Sequence, residues 1–212
     1  NAHLSPLQGI KTLALLSSDN KNCDLLGADA RNLALMLRAL QLAHEEFGRA
    51  QTPLDFYLVR AVANVGMTCP GAQMRDAEVV ALLVAAMPRL LFLLQAAVPR
   101  PDPRQKAHQL LPAEYEVLFP ARFPSALARL THPLCPTPSQ TQLNVLITVN
   151  RFSYSIRTLR AEFLLHGFAP LLLDLCSSHY LRIRQNAAAT FLQMVCTHTH
   201  THTHTHTHTH TH

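Results

Sequence analysis

Residues 159–195, LRAEFLLHGFAPLLLDLCSSHYLRIRQNAAATFLQMV, contain the pattern that decides the predicted fold. Gly167 follows an apolar run, and glycine readily adopts the left-handed conformation that closes a helix. Pro170 comes next and is suited to the first turn of a second, short helix. The polar stretch SSHY then leads into a third apolar helix that reaches Val195. The segment therefore predicts a helix, a sharp turn, a helix, a loop and a helix.

The composition of the whole chain favours the same class of structure. Apolar residues make up 48% of the sequence, which is enough for a hydrophobic core. Leu and Ala dominate, Trp is absent and runs of β-branched residues are scarce. Because Leu and Ala are strong helix formers, we expect an all-α fold.

Hydroxyl–proline pairs mark three further helix starts, because the hydroxyl can cap free N–H groups and proline fits the first helical position. These pairs are Ser5–Pro6, Thr52–Pro53 and Thr137–Pro138. Apolar periodicity predicts helices over residues 6–17, 29–47, 53–65 and 76–98. Residues 98–124 are rich in proline and predict a long ordered loop with short helical pieces.

The 159–195 segment resembles an armadillo repeat, in which a short helix ends at Gly and a second helix and a longer third helix follow. HGFAPLLLDLCSS and RIRQNAAATFLQMV occupy these positions in order, and LSSDNKNCDLLGAD with LVRAVANV resembles an earlier copy. The resemblance implies an armadillo-type α-solenoid of the armadillo/HEAT-like superfamily, a right-handed superhelix of stacked helices. It implies one or more repeats in residues 1–66, a degenerate repeat with the proline-rich insertion in 67–154, and a clear repeat in 155–196. Neighbouring repeats of a larger protein are then expected partners.

Residues 197–212 repeat the pair Thr-His eight times. Such a tract offers many equivalent weak metal sites instead of one closed geometry, and a repeated AC dinucleotide encodes it directly. We expect a disordered, low-complexity tail that is not native to the fold and that forms no metal site.

An apolar run over residues 78–98 is long enough to span a bilayer. Pro88 and Arg89 lie at its centre, where an arginine costs roughly 2.5–3.5 kcal/mol on membrane insertion. The run therefore predicts a buried core helix, kinked or broken at Pro88, and no membrane partner. Five widely spaced cysteines without a CxxC motif indicate reduced thiols, so we expect a cytoplasmic or nuclear protein.

Motifs for catalysis are absent from the sequence. It contains no phosphate-binding glycine loop, no G-x-S-x-G and no H-E-x-x-H, so we expect neither enzyme activity nor a cofactor. Cys176 and His179 form only half of a zinc site and are interpreted as a packed thiol and a loop histidine. His166 suits the end of a helix, where it can interact with terminal carbonyls.

Candidate partner-binding residues follow from the resemblance. Peptide-binding armadillo proteins use an Asn on the third helix of a repeat to bind the backbone of an extended peptide, and Asn64 occupies the matching position, with ordinary packing as the alternative. Gln193 takes this position in the last repeat, and Arg60 stands where a Trp often accompanies the Asn. Together with Arg184, these side chains are predicted to line a concave wall that binds an extended or acidic protein segment.

A second candidate surface is basic. The net charge is +5, and no acidic residue lies between Glu116 and Glu162. Arg151, Arg157 and Arg160 alternate there with aromatic residues, a pattern that binds phosphates and bases but also occurs on solvated helix faces. Two functions remain open: a non-catalytic protein-interaction scaffold, or a solenoid associated with nucleic acid or chromosomes, such as a meiotic chromosome factor.

Overall fold

The computed structural model describes residues 6–95 and 138–203, and within them the side chains of residues 8–95 and 139–195. Every regular element in these ranges is an α-helix, so the all-α prediction is confirmed there. The first range contains α1 (Pro6–Leu16), α2 (Asn20–Gly27), α3 (Ala30–Phe47), α4 (Pro53–Thr68), α5 (Gly71–Met74) and α6 (Ala77–Gln95). The second contains α7 (Pro138–Ser155), α8 (Thr158–Leu165), α9 (Phe168–Leu175) and α10 (Leu181–Thr203). The predicted proline-rich loop lies outside the described residues.

Helix starts agree with the hydroxyl–proline signals. α1, α4 and α7 begin at Pro6, Pro53 and Pro138. At the start of α4 the Asp55 carboxylate accepts hydrogen bonds from the backbone N–H of Thr52 at 2.7 Å and from its hydroxyl at 2.8 Å. These bonds fix the direction in which the chain enters α4.

The helices pack in two series of successive contacts. In one series α1 contacts α4, α4 contacts α7 and α7 contacts α10. In the other α3 contacts α6, and α6 contacts α9. Buried residues from Ala14 to Met194 form one continuous hydrophobic cluster through both series. The short helices α2, α5 and α8 each contact the two helices that follow them in the chain.

A buried ion pair lies where α4, α6 and the loop before α4 meet. Arg89 Nε donates to Asp55 Oδ1 and Arg89 Nη2 to Asp55 Oδ2, both at 2.7 Å, and both side chains are fully buried. The guanidinium also donates to the backbone carbonyls of Gly48 and Ala50 and lies 5.2 Å from the centre of the Phe92 ring. A buried charge is tolerated only with such complete pairing, because its desolvation is costly.

α6 is long and apolar enough to cross a membrane by those two criteria alone. In this fold it is a core helix, with Leu83, Met87, Leu90 and other positions along its length buried. The helix is continuous through Pro88, so the chain is not broken there as the sequence allowed. Packing on α3 holds the helix together although Pro88 has no N–H to donate.

Gly167 closes α8 as predicted. Its backbone is left-handed, with φ 84° and ψ 23°, and α9 begins at the next residue. The turn brings Phe163 and Phe168 together edge to face, with ring centres 5.0 Å apart. Both rings are fully buried, so the turn positions part of the core.

The first part of the Thr-His tract differs from the predicted disorder. α10 continues to Thr203, so residues 197–203 extend an existing helix. Adding a residue to a helix that has already formed avoids the cost of nucleation, which accounts for the extension without any apolar face. Residues 204–212 lie outside the described part of the chain.

We expect Arg89→Met to lower the free energy of unfolding by about 3–5 kcal/mol, because it leaves the Asp55 carboxylate buried without its partner. Urea denaturation followed by circular dichroism measures the change. Arg31→Met is the control, since Arg31 and Asp29 form an exposed pair at 3.4 Å that contributes little. Equal effects of the two substitutions would contradict a structural role for the buried pair.

Gly167→Ala should destabilise the fold by about 1–2 kcal/mol, because a side chain in the left-handed region is strained. Gly9→Ala provides the opposite control. Gly9 lies within α1 with open space around it, so alanine there should stabilise the helix by about 0.5–1 kcal/mol. Thermal melts of both variants test the pair, and a stabilised Gly167→Ala protein would refute the assigned turn.

Candidate functional site

A surface pocket of about 510 Å³ lies between α5, α7, α8 and α10. We call it the arginine pocket. Its lining consists of four arginines and four small or uncharged residues, and contains no carboxylate. The residues are Gly71, Arg75, Arg151, Tyr154, Ser155, Arg157, Arg160 and Gln193.

Three of these arginines are held in place by the same kind of bond, in which Nε donates to a backbone carbonyl. The bonds join Arg75 to Gly71 at 2.9 Å, Arg151 to Gly66 at 2.8 Å and Arg160 to Ser153 at 2.6 Å. A hydrogen bond at Nε fixes the plane of a guanidinium. By itself it does not use the two terminal nitrogens, Nη1 and Nη2, which can also donate. The pocket is therefore largely organised before any ligand binds.

Arg151 links the pocket to the end of α4. In addition to its bond to Gly66, its Nη2 donates to the Cys69 carbonyl at 3.5 Å. Both carbonyls belong to the C-terminal turn of α4, where a positive charge is favourable. The same charge partly offsets the effect of burial, which raises the pKa of the Cys69 thiol.

Arg160 is the most deeply placed charge in the pocket, with 6% of the residue exposed. Burial lowers the pKa of its guanidinium, and the neighbouring charge of Arg157 lowers it further. Its Nη1 is buried and has no hydrogen-bond acceptor among the described residues. An unsatisfied buried donor of this kind is unfavourable, by about 1–3 kcal/mol.

The charge of the pocket is not neutralised locally. Within residues 8–95 and 139–195, no carboxylate oxygen lies within 4.0 Å of a nitrogen of the four arginines. Arg157 is exposed, and Tyr154 beside it is 65% exposed. An anion entering the pocket would thus meet several cations without displacing an acidic side chain.

The structure brings together residues that the sequence assigned to two surfaces. Arg151, Arg157 and Arg160 line the pocket as one basic group, and Gln193, predicted for the concave wall, lies with them. The interpretation of this stretch as a solvated face with inward aromatics fits only in part, because Phe152 is buried whereas Tyr154 is exposed.

Arg75 was not anticipated from the sequence. It lies on the short helix α5, far in the chain from the other three arginines, and no local motif connects it to them. The one sequence feature that could have identified Arg75 is Gly71, which lies four residues before it. A Cβ at Gly71 would lie 3.1 Å from Arg75 Nη2, so the glycine leaves room for the arginine to fold back over its own turn.

Arg60 and Asn64 are not on an open wall, and their predicted placement differs from the structure. α1 packs on this side of α4, and Arg60 is only 7% exposed. Arg60 Nη2 donates to the Ser18 hydroxyl at 3.0 Å, and Asn64 Nδ2 to the Ser17 hydroxyl at 3.4 Å. These bonds join α4 to the end of α1, so both side chains already have a structural role.

Arg184 is likewise separate from the arginine pocket. Its Nη1 donates to the Ser178 carbonyl at 2.9 Å and holds the loop before α10. A smaller cavity of about 260 Å³ is lined in part by His179 of the same loop. Within the described residues no group of three or more potential metal ligands occurs, and Cys176 is a free thiol.

Comparison of the chain with protein-family models, curated proteins and solved structures returned no match. The chemistry of the arginine pocket is therefore the basis for assigning a function.

We expect Arg151→Met to destabilise the fold by about 1–2 kcal/mol, because it removes a charged donor from the end of α4. Arg157→Met removes the same charge from a side chain that is exposed and makes no hydrogen bond within the described residues. It should leave the unfolding midpoint unchanged. Urea titration of both variants measures the difference, and the two substitutions separate the structural from the electrostatic contribution of the pocket arginines.

Proposed function

We propose that the chain is part of an armadillo-type α-solenoid that acts as a non-catalytic protein-interaction scaffold and binds an acidic segment of a partner through the arginine pocket. The observation that carries the proposal is the convergence of four arginines on one cavity, none of which forms an ion pair with a carboxylate among the described residues. Arginine binds carboxylates through two parallel hydrogen bonds, which gives such a cavity both affinity and geometric selectivity. We assign this scaffold to the cytoplasm or nucleus.

The order of helix contacts supports the solenoid part of the proposal. The described helices form three groups, α2–α3–α4, α5–α6–α7 and α8–α9–α10, and each begins with a short helix that precedes two further described helices; residues 96–137 lie between α6 and α7. The last helix of each group contacts the last helix of the next, with α1 at the head of the series. Stacking of repeated units in this way is how a solenoid buries its apolar surface.

The distribution of exposed apolar side chains is a second support. Most of the large ones lie in the first three and the last three described helices, as with Leu25, Leu35, Leu165 and Leu181, whereas the described residues of α6 include no exposed large apolar side chain. A stacked array leaves apolar surface at its ends until a further repeat or a polar cap covers it. This pattern agrees with neighbouring repeats as partners.

An acidic protein segment fits the pocket better than nucleic acid does. A nucleic-acid groove follows a series of phosphates and presents several aromatic platforms. Here the basic charge is gathered in a single cavity with one exposed aromatic ring, Tyr154. Nucleic acid is the second candidate ligand, because a base could stack on the exposed Tyr154 ring beside the charge of Arg157.

Selection from a library of short random peptides displayed on phage tests the proposal. We expect the peptides captured by the protein to be enriched in Asp and Glu. The double variant Arg75→Glu, Arg157→Glu should lose this enrichment, because both side chains are exposed and the change reverses the charge at the pocket.

Arg38→Glu with Arg49→Glu is the matched control, since these two arginines are also exposed and lie outside the pocket. This control changes the net charge by the same amount as the pocket variant does. The peptides that it captures should still be enriched in Asp and Glu. Enrichment that is absent from the unmodified protein, or equally lost in both double variants, would overturn the proposal. Equal charge-dependent capture of single-stranded RNA at the pocket would favour the second candidate.

A further inference from the structure

We propose that the arginine pocket is a receptor for the phosphate group of a phosphorylated serine or threonine in the partner segment. The inference rests on the proposed scaffold function and narrows its ligand. It assigns a switch to the site, because the partner would bind strongly only after phosphorylation.

The balance of charge favours a phosphate monoester over a carboxylate. Phosphoserine carries a charge of about −1.5 to −2 at neutral pH and presents three acceptor oxygens, whereas Asp and Glu offer one charge and two oxygens. Four arginines line the cavity, and none of them is paired with a carboxylate among the described residues. A dianion with three oxygens can engage more of them at once.

The depth of the pocket points in the same direction. Arg160 lines the cavity and is 94% buried, and its Nη1 lacks an acceptor among the described residues. A cavity of about 510 Å³ has room for a phosphate group together with the side chain that carries it. A phosphate oxygen in the cavity would meet a guanidinium that is largely shielded from water, where a charge-assisted hydrogen bond is strong.

The anchored arginines also suit a phosphate. The bonds from Nε of Arg75, Arg151 and Arg160 to backbone carbonyls leave terminal nitrogens as the remaining donors, apart from Arg151 Nη2, which also donates to the Cys69 carbonyl. A guanidinium held in this way loses little conformational freedom on binding, and its paired donors match two oxygens of a phosphate. Lysine in the same position would supply charge without this paired geometry.

A phosphodiester is a poorer ligand for a cavity of this kind. Each internal phosphate of RNA has one charge and two free oxygens, and its two ester bonds keep it within a continuous backbone. A terminal monoester on a single side chain can enter a surface pocket with all three of its free oxygens turned towards the arginines. The site therefore selects the phosphorylated protein segment among phosphate-bearing partners.

Fluorescence anisotropy with four labelled peptides tests the inference. The peptides share a neutral background and differ only in a central Ser, phosphoserine, phosphothreonine or Glu. We expect both phosphopeptides to bind at least about tenfold more tightly than the Glu peptide, a difference of about 1.4 kcal/mol, and the Ser peptide not to bind.

Arg160→Lys should reduce the preference for phosphoserine over Glu to nearly one while keeping the charge of the pocket. Its folding is checked by circular dichroism, because Arg160 also bonds the Ser153 carbonyl. If Arg160→Lys does not fold, Arg157→Lys takes its place, because Arg157 is exposed, and it should likewise reduce the preference for phosphoserine over Glu. Arg38→Lys is the control and should leave that preference unchanged.

The outcomes separate the two proposals. Equal affinity for phosphoserine and Glu peptides, or no binding of the phosphopeptides, would overturn the phosphate receptor, while acidic enrichment in the peptide library would still support the scaffold function. Absence of acidic enrichment among the peptides captured by the unmodified protein would overturn the scaffold function itself. A phosphoserine preference unchanged in both lysine variants would also overturn the assignment to this pocket. Single-stranded RNA that competes with the phosphopeptide at equal affinity would replace the monoester by a phosphodiester ligand.

Discussion

The buried contact between Arg89 and Asp55 is the constraint on which the rest of the structure depends. It fixes the first turn of α4 against the centre of α6 and draws in the carbonyls of the loop before α4. α4 is a rigid helix, so anchoring its first turn also positions Gly66 at its far end. Gly66 in turn supplies the carbonyl that holds Arg151 in the arginine pocket. An interior ion pair thus determines the geometry of a surface site through one helix.

Local signals in the sequence predicted the helices well, because each depends on a few neighbouring residues. The cap at Thr52 and the left-handed turn at Gly167 are set by the chemistry of those residues alone. Arg89 shows where such reasoning stops. Its charge argued against a membrane span, but nothing in the local sequence identified Asp55 as its partner, because the pair joins two distant helices.

The part of the candidate site that was predictable consists of residues close to one another in the sequence. Arg151, Arg157 and Arg160 lie close in the chain, so their common charge was visible as a basic stretch. Arg75 joins them only through the packing of α5 against α7. Arg60 illustrates the opposite error: helical periodicity placed it on an outer face, but α1 covers that face. Periodicity identifies the faces of a helix and leaves open which of them a neighbour occupies.

The nearly uniform apolar sequence of α6 gives Arg89 one more role. AEVVALLVAAMPRLLFLLQ presents apolar side chains in almost every direction, so a shift of one turn along α3 would bury much the same surface. A single guanidinium with fixed partners removes this degeneracy and sets the register of the helix. Over evolutionary time the buried apolar positions of α6 should therefore exchange mainly among residues of similar volume, such as Leu and Met. Arg89 and Asp55, by contrast, should be inherited or replaced together.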